Sequence, residues 1–117
     1  MYPKSNKYIY GKKELFHLAK LIVMYEEPKD KEGFEKYYLD VHIPLTKKMP
    51  NIKNVQVQKV INSQNTNLNL YLIAEVEFEN MEALKTAFKS DAGKEAQADL
   101  KNLLPYLNSP PITAIVD

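Results

Sequence analysis

The sequence has 117 residues, a formal net charge of +1 and no cysteine. A chain of this length forms one domain with a single core. All 16 basic residues are lysine, so bidentate guanidinium contacts to phosphates or guanine edges are excluded and no nucleic-acid partner is expected. Without cysteine, the chain has no disulfide, thiolate catalyst or cysteine-ligated metal.

The beginning of the chain is rich in lysine and tyrosine and lacks the apolar run of a signal peptide. No apolar stretch approaches the ~20 residues that a membrane span needs. We therefore expect a cytoplasmic protein without a membrane partner. Residues 1–18 are predicted to be an N-terminal extension, and residues 19–117 the domain. His17 has no motif around it and is expected to be an ordinary solvated or interface residue.

The first predicted element is a buried strand over residues 19–25, because the apolar run AKLIVMY is flanked by charged residues. Asp30 is then expected to cap a helix that extends over residues 30–49. The inward face of this helix is predicted from residues at helical spacing, namely Phe34, Tyr38, Val41 and Leu45.

The second half of the chain contains three predicted strands and two helical segments. IKNVQVQKVIN and LNLYLIAEVEFE alternate like strands and are joined by the polar turn SQNTN. Asn80 is expected to cap a short helix, and Asp91 to begin a second one. The inward residues of that second segment are predicted to be Leu100, Leu103 and Leu104. ITAIVD ends the chain as a short strand.

This order of elements, β-α-β-β-α-β, predicts an α+β ferredoxin-like fold with a four-stranded antiparallel sheet and helices on one face. The other sheet face is too apolar for a fully solvated surface. Its predicted members include Ile22, Met24, Gln56, Gln58, Tyr71 and Ile73. We therefore expect two copies to pack these faces together as a dimeric α/β barrel.

The segment DVHIPL places His42 two residues before a proline within the long predicted helix. Pro44 has no N–H, so the carbonyl of Asp40 loses its helical partner. The residue before a proline disfavours the α conformation, which predicts that Ile43 bends away. We expect the helix to break or kink at residues 41–43 and to restart with Pro44 in its first turn. The kink should open a cavity between helix and sheet, bordered by His42.

The segment KLIVMYEEPKDKEGFEKYYLDVHIPLTKKMPNI combines an apolar strand, a Pro-x-Asp turn, a Phe-x-x-Tyr-Tyr helix and His-x-Pro-Leu. It resembles the opening of EthD-type dimeric α/β barrel proteins. YLIAEVEFENMEALKTAF and SDAGKEAQADLKNLL resemble the third strand and final helical pair of that family. The resemblance covers about residues 19–116. Two features depart from the family pattern: the N-terminal extension, and Leu103 near a position where the family more often has an aromatic residue.

Carried onto this sequence, the resemblance places the signature histidine at His42 and its proline at Pro44. The helix aromatics of the family fall on Phe34, Tyr37 and Tyr38, and its acidic and small positions match Asp91, Gly93 and Asp99. The resemblance implies association with oxidative or polyketide-type metabolism of small organic molecules, in which relatives act as dehydratases or cyclases.

Two functions follow from these residues. In the first, the protein is a cofactor-independent, oxidoreductase-associated enzyme for a small apolar compound that is oxygenated or aromatic. His42 would be its general acid or base and Tyr38 would bind a substrate carbonyl or enolate. The predicted substrate-binding residues are Tyr25, Phe34, Tyr37 and Val41.

In the second function, the protein is a non-catalytic module that holds a hydrophobic metabolite for a partner oxidoreductase. A His–Tyr pair that converges on the cavity would favour catalysis, whereas a dry cavity with no polar group near His42 would favour binding. The structural alternative is that His42 only bonds a freed helix carbonyl. From the sequence we expect removal of His42 to cost less than ~1 kcal/mol, as for residues held for function rather than packing.

No cofactor or metal is expected. His42 and Asp40 point to different sides of the helix, and no second histidine or cysteine lies near them. Haem is an alternative because some dimeric α/β barrels bind it through a helix histidine. Such members usually pair this histidine with tryptophan and asparagine, and the chain has no tryptophan. With three glycines and no phosphate-binding loop, a nucleotide cofactor is not expected either.

Overall fold

The computed structural model describes residues 18–117, so residues 1–17, with His17 and nearly all of the predicted extension, lie outside the described residues. The first half of the described chain contains β1 (Ala19–Glu26), α1 (Lys31–Tyr37), a π-helical turn (Tyr38–His42), α2 (Ile43–Lys47) and β2 (Ile52–Lys59). The second half contains β3 (Leu70–Phe78), α3 (Met81–Lys89), α4 (Asp91–Ala98), α5 (Leu100–Leu103), a 3₁₀ turn (Leu104–Tyr106) and β4 (Ile112–Val116).

The four strands form one antiparallel sheet in the order β2-β3-β1-β4. Alternate residues of β3, namely Leu72, Ala74, Val76 and Phe78, are buried under the helices. The predicted α+β ferredoxin-like fold and the apolar face of this strand are therefore confirmed. A core of this kind leaves the opposite sheet face without a helical layer.

The ends of the helices follow the chemistry of their capping residues. Asp30 accepts a hydrogen bond from the N–H of Gly33 at 3.0 Å, and Asn80 accepts one from the N–H of Ala83 at 2.9 Å, as predicted. Helix α4 begins at Asp91, as predicted, and the Ser90 hydroxyl caps it. The prediction that Leu104 faces inward with Leu103 is wrong, because adjacent helical residues are ~100° apart. Leu103 is fully buried, whereas Leu104 is 42% exposed.

Of the predicted break or kink at residues 41–43, the break is wrong, although Pro44 does lie in the first turn of α2, as predicted. Ile43 keeps α-helical angles, with φ −62° and ψ −44°. Its N–H donates to the carbonyl of Tyr38 five residues earlier, which defines the π-helical turn. Since Pro44 lacks an N–H and its ring crowds the carbonyl of Asp40, a wider turn accommodates the proline without ending the helix.

The π-helical turn also changes which residues face inward. The buried positions repeat every fourth residue and are Phe34, Tyr38, His42 and Thr46, whereas Val41 is 37% exposed and Leu45 is only partly buried. In an uninterrupted α-helix these four positions would drift around the axis by ~120°. The π-helical turn takes in one extra residue and reduces the drift to ~20°. Val41 and Leu45 were therefore wrong as inward positions.

The prediction that Tyr71 lies on the open sheet face is wrong. The ladder between β1 and β3 shifts register between Tyr25 and Glu26, next to Tyr71. The Tyr71 ring contacts Phe34 with centroids 6.4 Å apart, and its hydroxyl donates to Glu35, both on α1. The shift of register at this end of the sheet accounts for a side chain that points toward the helices.

On the open face, Ile22, Met24 and Ile73 are half-buried and Gln56 and Gln58 are exposed. The Lys20 ammonium lies 3.5 Å from Glu75 and 3.6 Å from Glu77. This face therefore combines an apolar centre with one ionic group. Among residues 18–117, no helix has the length and apolar character to cross a membrane.

Candidate active site

A cavity of about 270 Å³ lies between the sheet and the helical layer. Its sheet side includes Leu21, Val23, Ala74 and Val76, and its helical side includes Tyr38, His42, Ile43 and Thr46. The predicted cavity bordered by His42 is thus confirmed. Most of its walls are apolar, so the few polar groups that reach it determine what chemistry it could support.

His42 is 8% exposed and belongs to the last position of the π-helical turn. Its Nδ1 lies 2.9 Å from Oδ2 of Asp99. A carboxylate only accepts hydrogen bonds, so Nδ1 carries the proton and the imidazole donates. The His42 side chain therefore bonds Asp99 and not a freed helix carbonyl. The backbone carbonyl of His42 accepts a separate hydrogen bond from the Thr46 hydroxyl at 3.1 Å.

Asp99 is the residue between α4 and α5, and it is 6% exposed. Oδ1 accepts hydrogen bonds from the Tyr37 hydroxyl at 2.6 Å and from the Asn102 amide at 2.8 Å. Oδ2 accepts the bond from His42. Burial raises the pKa of Asp99, but the hydrogen bonds from Tyr37, Asn102 and His42 outweigh burial and hold the pKa below its ordinary value. Asp99 is therefore an anion at neutral pH.

The sequence pattern around Asp99 assigns it no role. It lies 57 positions from His42, and no local pattern connects the two residues. The available signal was its match to an acidic position of the family, which indicated the residue but not its partner.

An aromatic column extends from the core to His42 along the helix. The rings of Phe34 and Tyr38 are stacked with centroids 5.2 Å apart, and those of Tyr38 and His42 with centroids 5.6 Å apart. Tyr25 meets the edge of Tyr38 at 5.3 Å. These contacts hold the imidazole plane nearly parallel to a phenol ring at the cavity wall.

Burial raises the pKa of both Tyr25 and Tyr38, so both are neutral phenols at physiological pH. The hydrogen bond between their hydroxyls raises the pKa of Tyr25 and lowers that of Tyr38. Each phenol therefore keeps its proton and can donate a hydrogen bond.

The predicted site residues are only partly brought together. His42, Tyr38 and Tyr25 line the cavity. Phe34 is fully buried behind Tyr38, Tyr37 bonds Asp99, and Val41 is exposed on the outer side of the helix. Phe34, Tyr37 and Val41 therefore do not contact the cavity.

The described residues offer little to a metal ion. Within residues 18–117, no group of three or more histidines, aspartates or glutamates lies close enough together to hold one. A catalytic zinc usually takes three protein ligands, more than the His42–Asp99 pair provides.

The chain matches a known protein family over more than half of its length. The EthD domain model matches residues 26–104. An uncharacterised 11.0 kDa protein of the thcB–thcC intergenic region of Rhodococcus erythropolis is 28% identical over 85 residues, covering 73% of this chain and 82% of that protein. An EthD family protein from Bacillus halodurans has a TM-score of 0.73 at 29% identity, covering 86% of this chain and 97% of that chain.

Two more distant structures share the fold alone. The hydroxynitrile lyase of Passiflora edulis has a TM-score of 0.65 at 12% identity and covers 86% of this chain and 92% of the lyase. A dimeric ferredoxin-like protein of unknown function from Jannaschia has a TM-score of 0.64 at 11% identity, covering 86% and 98% of the two chains. Because the EthD domain model spans more than half of the sequence, this protein belongs to the EthD family.

Proposed function

We propose that this protein is a cofactor-independent enzyme in which His42 is the general base and acid for a small, largely apolar compound. The observation that carries the proposal is the bond from His42 to the buried Asp99 at the wall of an apolar cavity. With the proton held on Nδ1, Nε2 has a free lone pair that can accept a proton. Among residues 18–117, Nε2 has no hydrogen-bond partner.

Tyr38 is the second catalytic residue of the proposal. Burial raises the pKa of its hydroxyl, so the phenol stays protonated at neutral pH and can donate a hydrogen bond. A substrate carbonyl bound there would receive a hydrogen bond as His42 removes a proton from the neighbouring carbon. The enolate oxygen that forms would be stabilised by the same phenol. Tyr38 and His42 both line the cavity, and such a pair of proton-transferring groups favours catalysis over passive binding.

The volume of the cavity and the absence of charged residues among its described lining residues indicate the size and the charge of the substrate. An apolar cavity of ~150 Å³ accepts benzene. The present cavity of about 270 Å³ therefore has room for a substituted ring or a branched chain of similar bulk. No lysine, aspartate or glutamate from residues 18–117 lines it, so a neutral compound is expected. A neutral aromatic or alicyclic compound with one carbonyl or hydroxyl group matches these features.

A second candidate function is a metabolite-binding or accessory module for a partner oxidoreductase. The mostly apolar walls of the cavity favour this alternative, because they would bind a hydrophobic molecule without any chemistry. The two functions differ in what happens to a bound compound: an enzyme changes it or exchanges its protons, whereas a binding module returns it unchanged.

The experiment that separates them uses a panel of neutral ring ketones, aldehydes and cyanohydrins. Proton NMR in D₂O would follow binding, the exchange of protons on the carbon next to a carbonyl group for deuterium, and the cleavage of a cyanohydrin to its carbonyl compound and hydrogen cyanide. We expect His42→Asn to keep binding and to lower the rate by ~10²–10⁴-fold, the usual contribution of a positioned acid or base. Thr113→Val, at another residue of the cavity wall, is the control and should keep the rate. Equal rates for His42→Asn and wild type would contradict the proposal that His42 is the general base and acid of an enzyme.

We further propose a homodimer through the open sheet face. Its half-buried Ile22, Met24 and Ile73 support this, because an apolar sheet face of a soluble domain is usually covered. The structural neighbour described as a dimeric ferredoxin-like protein supports it at the level of the fold.

The domain boundary between residues 18 and 19 agrees with the start of β1 at Ala19. That boundary and the cytoplasmic location stay predictions.

A further inference from the structure

We propose that Tyr37 is a positioning residue for His42 and acts through Asp99. The inference rests on the proposed function of His42. Tyr37 donates to Oδ1 of Asp99 at 2.6 Å, and His42 bonds Oδ2 at 2.9 Å. The carboxylate is thus held at both oxygens, one of them by Tyr37. Its plane, and with it the direction in which the imidazole is held, depends on both bonds.

Tyr37 has no direct access to a substrate. It does not line the cavity, and its ring packs against Tyr106 with centroids 6.0 Å apart. Tyr106 belongs to the 3₁₀ turn, so the ring of Tyr37 packs on that turn while its hydroxyl bonds the carboxylate. Any influence of Tyr37 on the reaction must therefore pass through the position of Asp99.

The π-helical turn explains how Tyr37 and His42 reach the same carboxylate. In an α-helix, residues five apart are rotated by ~500° and so lie ~140° apart around the axis. The extra residue taken in by the π-helical turn reduces this rotation to ~400°, which brings the two side chains within ~40° of each other. Without this turn, the two residues would lie on different faces of the helix.

The protonation states fit this role. The hydrogen bond to Asp99 raises the pKa of Tyr37, so its hydroxyl is a donor at neutral pH. If the hydroxyl is removed, Oδ1 keeps only the Asn102 amide at 2.8 Å. The carboxylate then loses its shortest hydrogen bond and can rotate away from His42. The imidazole would lose its fixed acceptor, and the tautomer with the proton on Nε2 would gain population.

The test is ¹⁵N NMR of the full chain with labelled histidine, at pH 8. The signals of His42 are identified by their loss in His42→Asn. In wild type we expect the Nδ1–H tautomer to dominate. In Tyr37→Phe we expect the Nε2–H tautomer to rise by about 2- to 10-fold, the size of change that one net hydrogen bond supports. Tyr106→Phe makes the same change on the ring that packs against Tyr37 and should leave the tautomer unchanged.

Asn102→Ala provides a second test of which donor holds Asp99, and it works even if Tyr37→Phe does not fold. If Tyr37 holds the carboxylate, Asn102→Ala keeps the wild-type tautomer. If the amide holds it, Asn102→Ala changes the tautomer, which overturns the proposal. An unchanged tautomer in folded Tyr37→Phe would overturn it as well.

These results do not depend on activity, so the inference and the proposed function can fail separately. Once a substrate is known, Tyr37→Phe should lower kcat and leave KM unchanged, because Tyr37 does not contact the cavity. One possible outcome is a tautomer change in Tyr37→Phe with no effect of His42→Asn on turnover. It would support the positioning role of Tyr37 and contradict the catalytic role of His42. A rise in KM without a change in kcat would overturn the positioning role.

Discussion

The imidazole Nδ1 of His42 and the carboxylate Oδ2 of Asp99 are 2.9 Å apart, although 57 positions separate the two residues in the chain. The bond connects the π-helical turn with the junction of α4 and α5. Both side chains are buried, at 8% and 6% exposure. A change in either residue therefore leaves the other with an unmatched group in the interior.

Removal of the imidazole should now cost more than the sequence indicated. In His42→Ala, Oδ2 of the buried Asp99 loses its donor, and we expect a loss of ~1–3 kcal/mol in the free energy of unfolding. The measurement is urea unfolding at pH 8. A loss below ~1 kcal/mol would show that water replaces the imidazole, as expected for a residue that contributes little to packing.

The carboxylate of Asp99 should make stability depend on pH. Its pKa in the folded protein is lower than the ordinary 3.8 of the unfolded chain, so folding favours the anion. The stabilisation is complete above the unfolded pKa and is lost as the pH falls through the folded pKa. We expect Asp99→Asn to cost ~1–3 kcal/mol at pH 7 and clearly less at pH 3 in urea unfolding.

Asp91→Asn is the matched control for this experiment, since Asp91 is an exposed aspartate at the start of α4. Its effect should be small, about 0.3–1 kcal/mol, through the helix dipole alone. A gap between wild type and Asp99→Asn that is the same at pH 3 and pH 7 would contradict the lowered pKa.

Gly93 determines how closely α4 approaches α3. A Cβ atom there would lie 2.0 Å from the carbonyl oxygen of Ala87 and 2.9 Å from that of Phe88. Backbone atoms of a helix cannot move aside easily, so Gly93→Ala should cost ~2–3 kcal/mol in thermal or urea unfolding. Because α4 leads directly into Asp99, the shift should also disturb the bond to His42.

Gly33→Ala is a useful comparison because its Cβ would meet only side-chain atoms. They are Oδ2 of Asp30 at 2.4 Å and Cε1 of Tyr106 at 2.8 Å, and both side chains can rotate. We expect a loss of about 1 kcal/mol, the value of a weakened helix cap. Equal losses in the two variants would mean that α3 and α4 separate at little cost.

If the protein is a homodimer through the open sheet face, light scattering at micromolar concentration should give twice the mass of the chain. Ile73→Glu places a charge at the centre of the open sheet face and should give a folded monomer. Ile61→Glu makes the same change at a residue that is 93% exposed in the loop before β3, and it should leave the mass unchanged. A monomeric wild type would disprove the proposed interface.

Deletion of residues 1–16 should leave the domain folded. The four strands and the helices of the described residues lie within residues 19–116. We expect the same cooperative urea transition and the same mass by light scattering. A broad transition or a change of mass would show that the segment takes part in the core or in the interface.

Much of the fold could be predicted from the sequence because it depends on short-range rules. Asp30 and Asn80 cap helices through contacts three residues away, and the alternation in β3 places Leu72, Ala74 and Val76 on one face. Such features require only the neighbouring residues. The motif around His42 also identified the correct wall of the cavity, because proline in a helix perturbs its own turn.

Only the tertiary structure decided how the site is built. A helical wheel assumes ~3.6 residues per turn, so it placed Val41 inward, whereas the π-helical turn made His42 and Thr46 the buried residues. The partner of His42 was equally out of reach. Asp99 meets it through the packing of α4 and α5 against the π-helical turn, and no local rule relates side chains 57 positions apart. Sequence alone indicated His42 as the candidate residue, and packing determined that Asp99 is its hydrogen-bond partner.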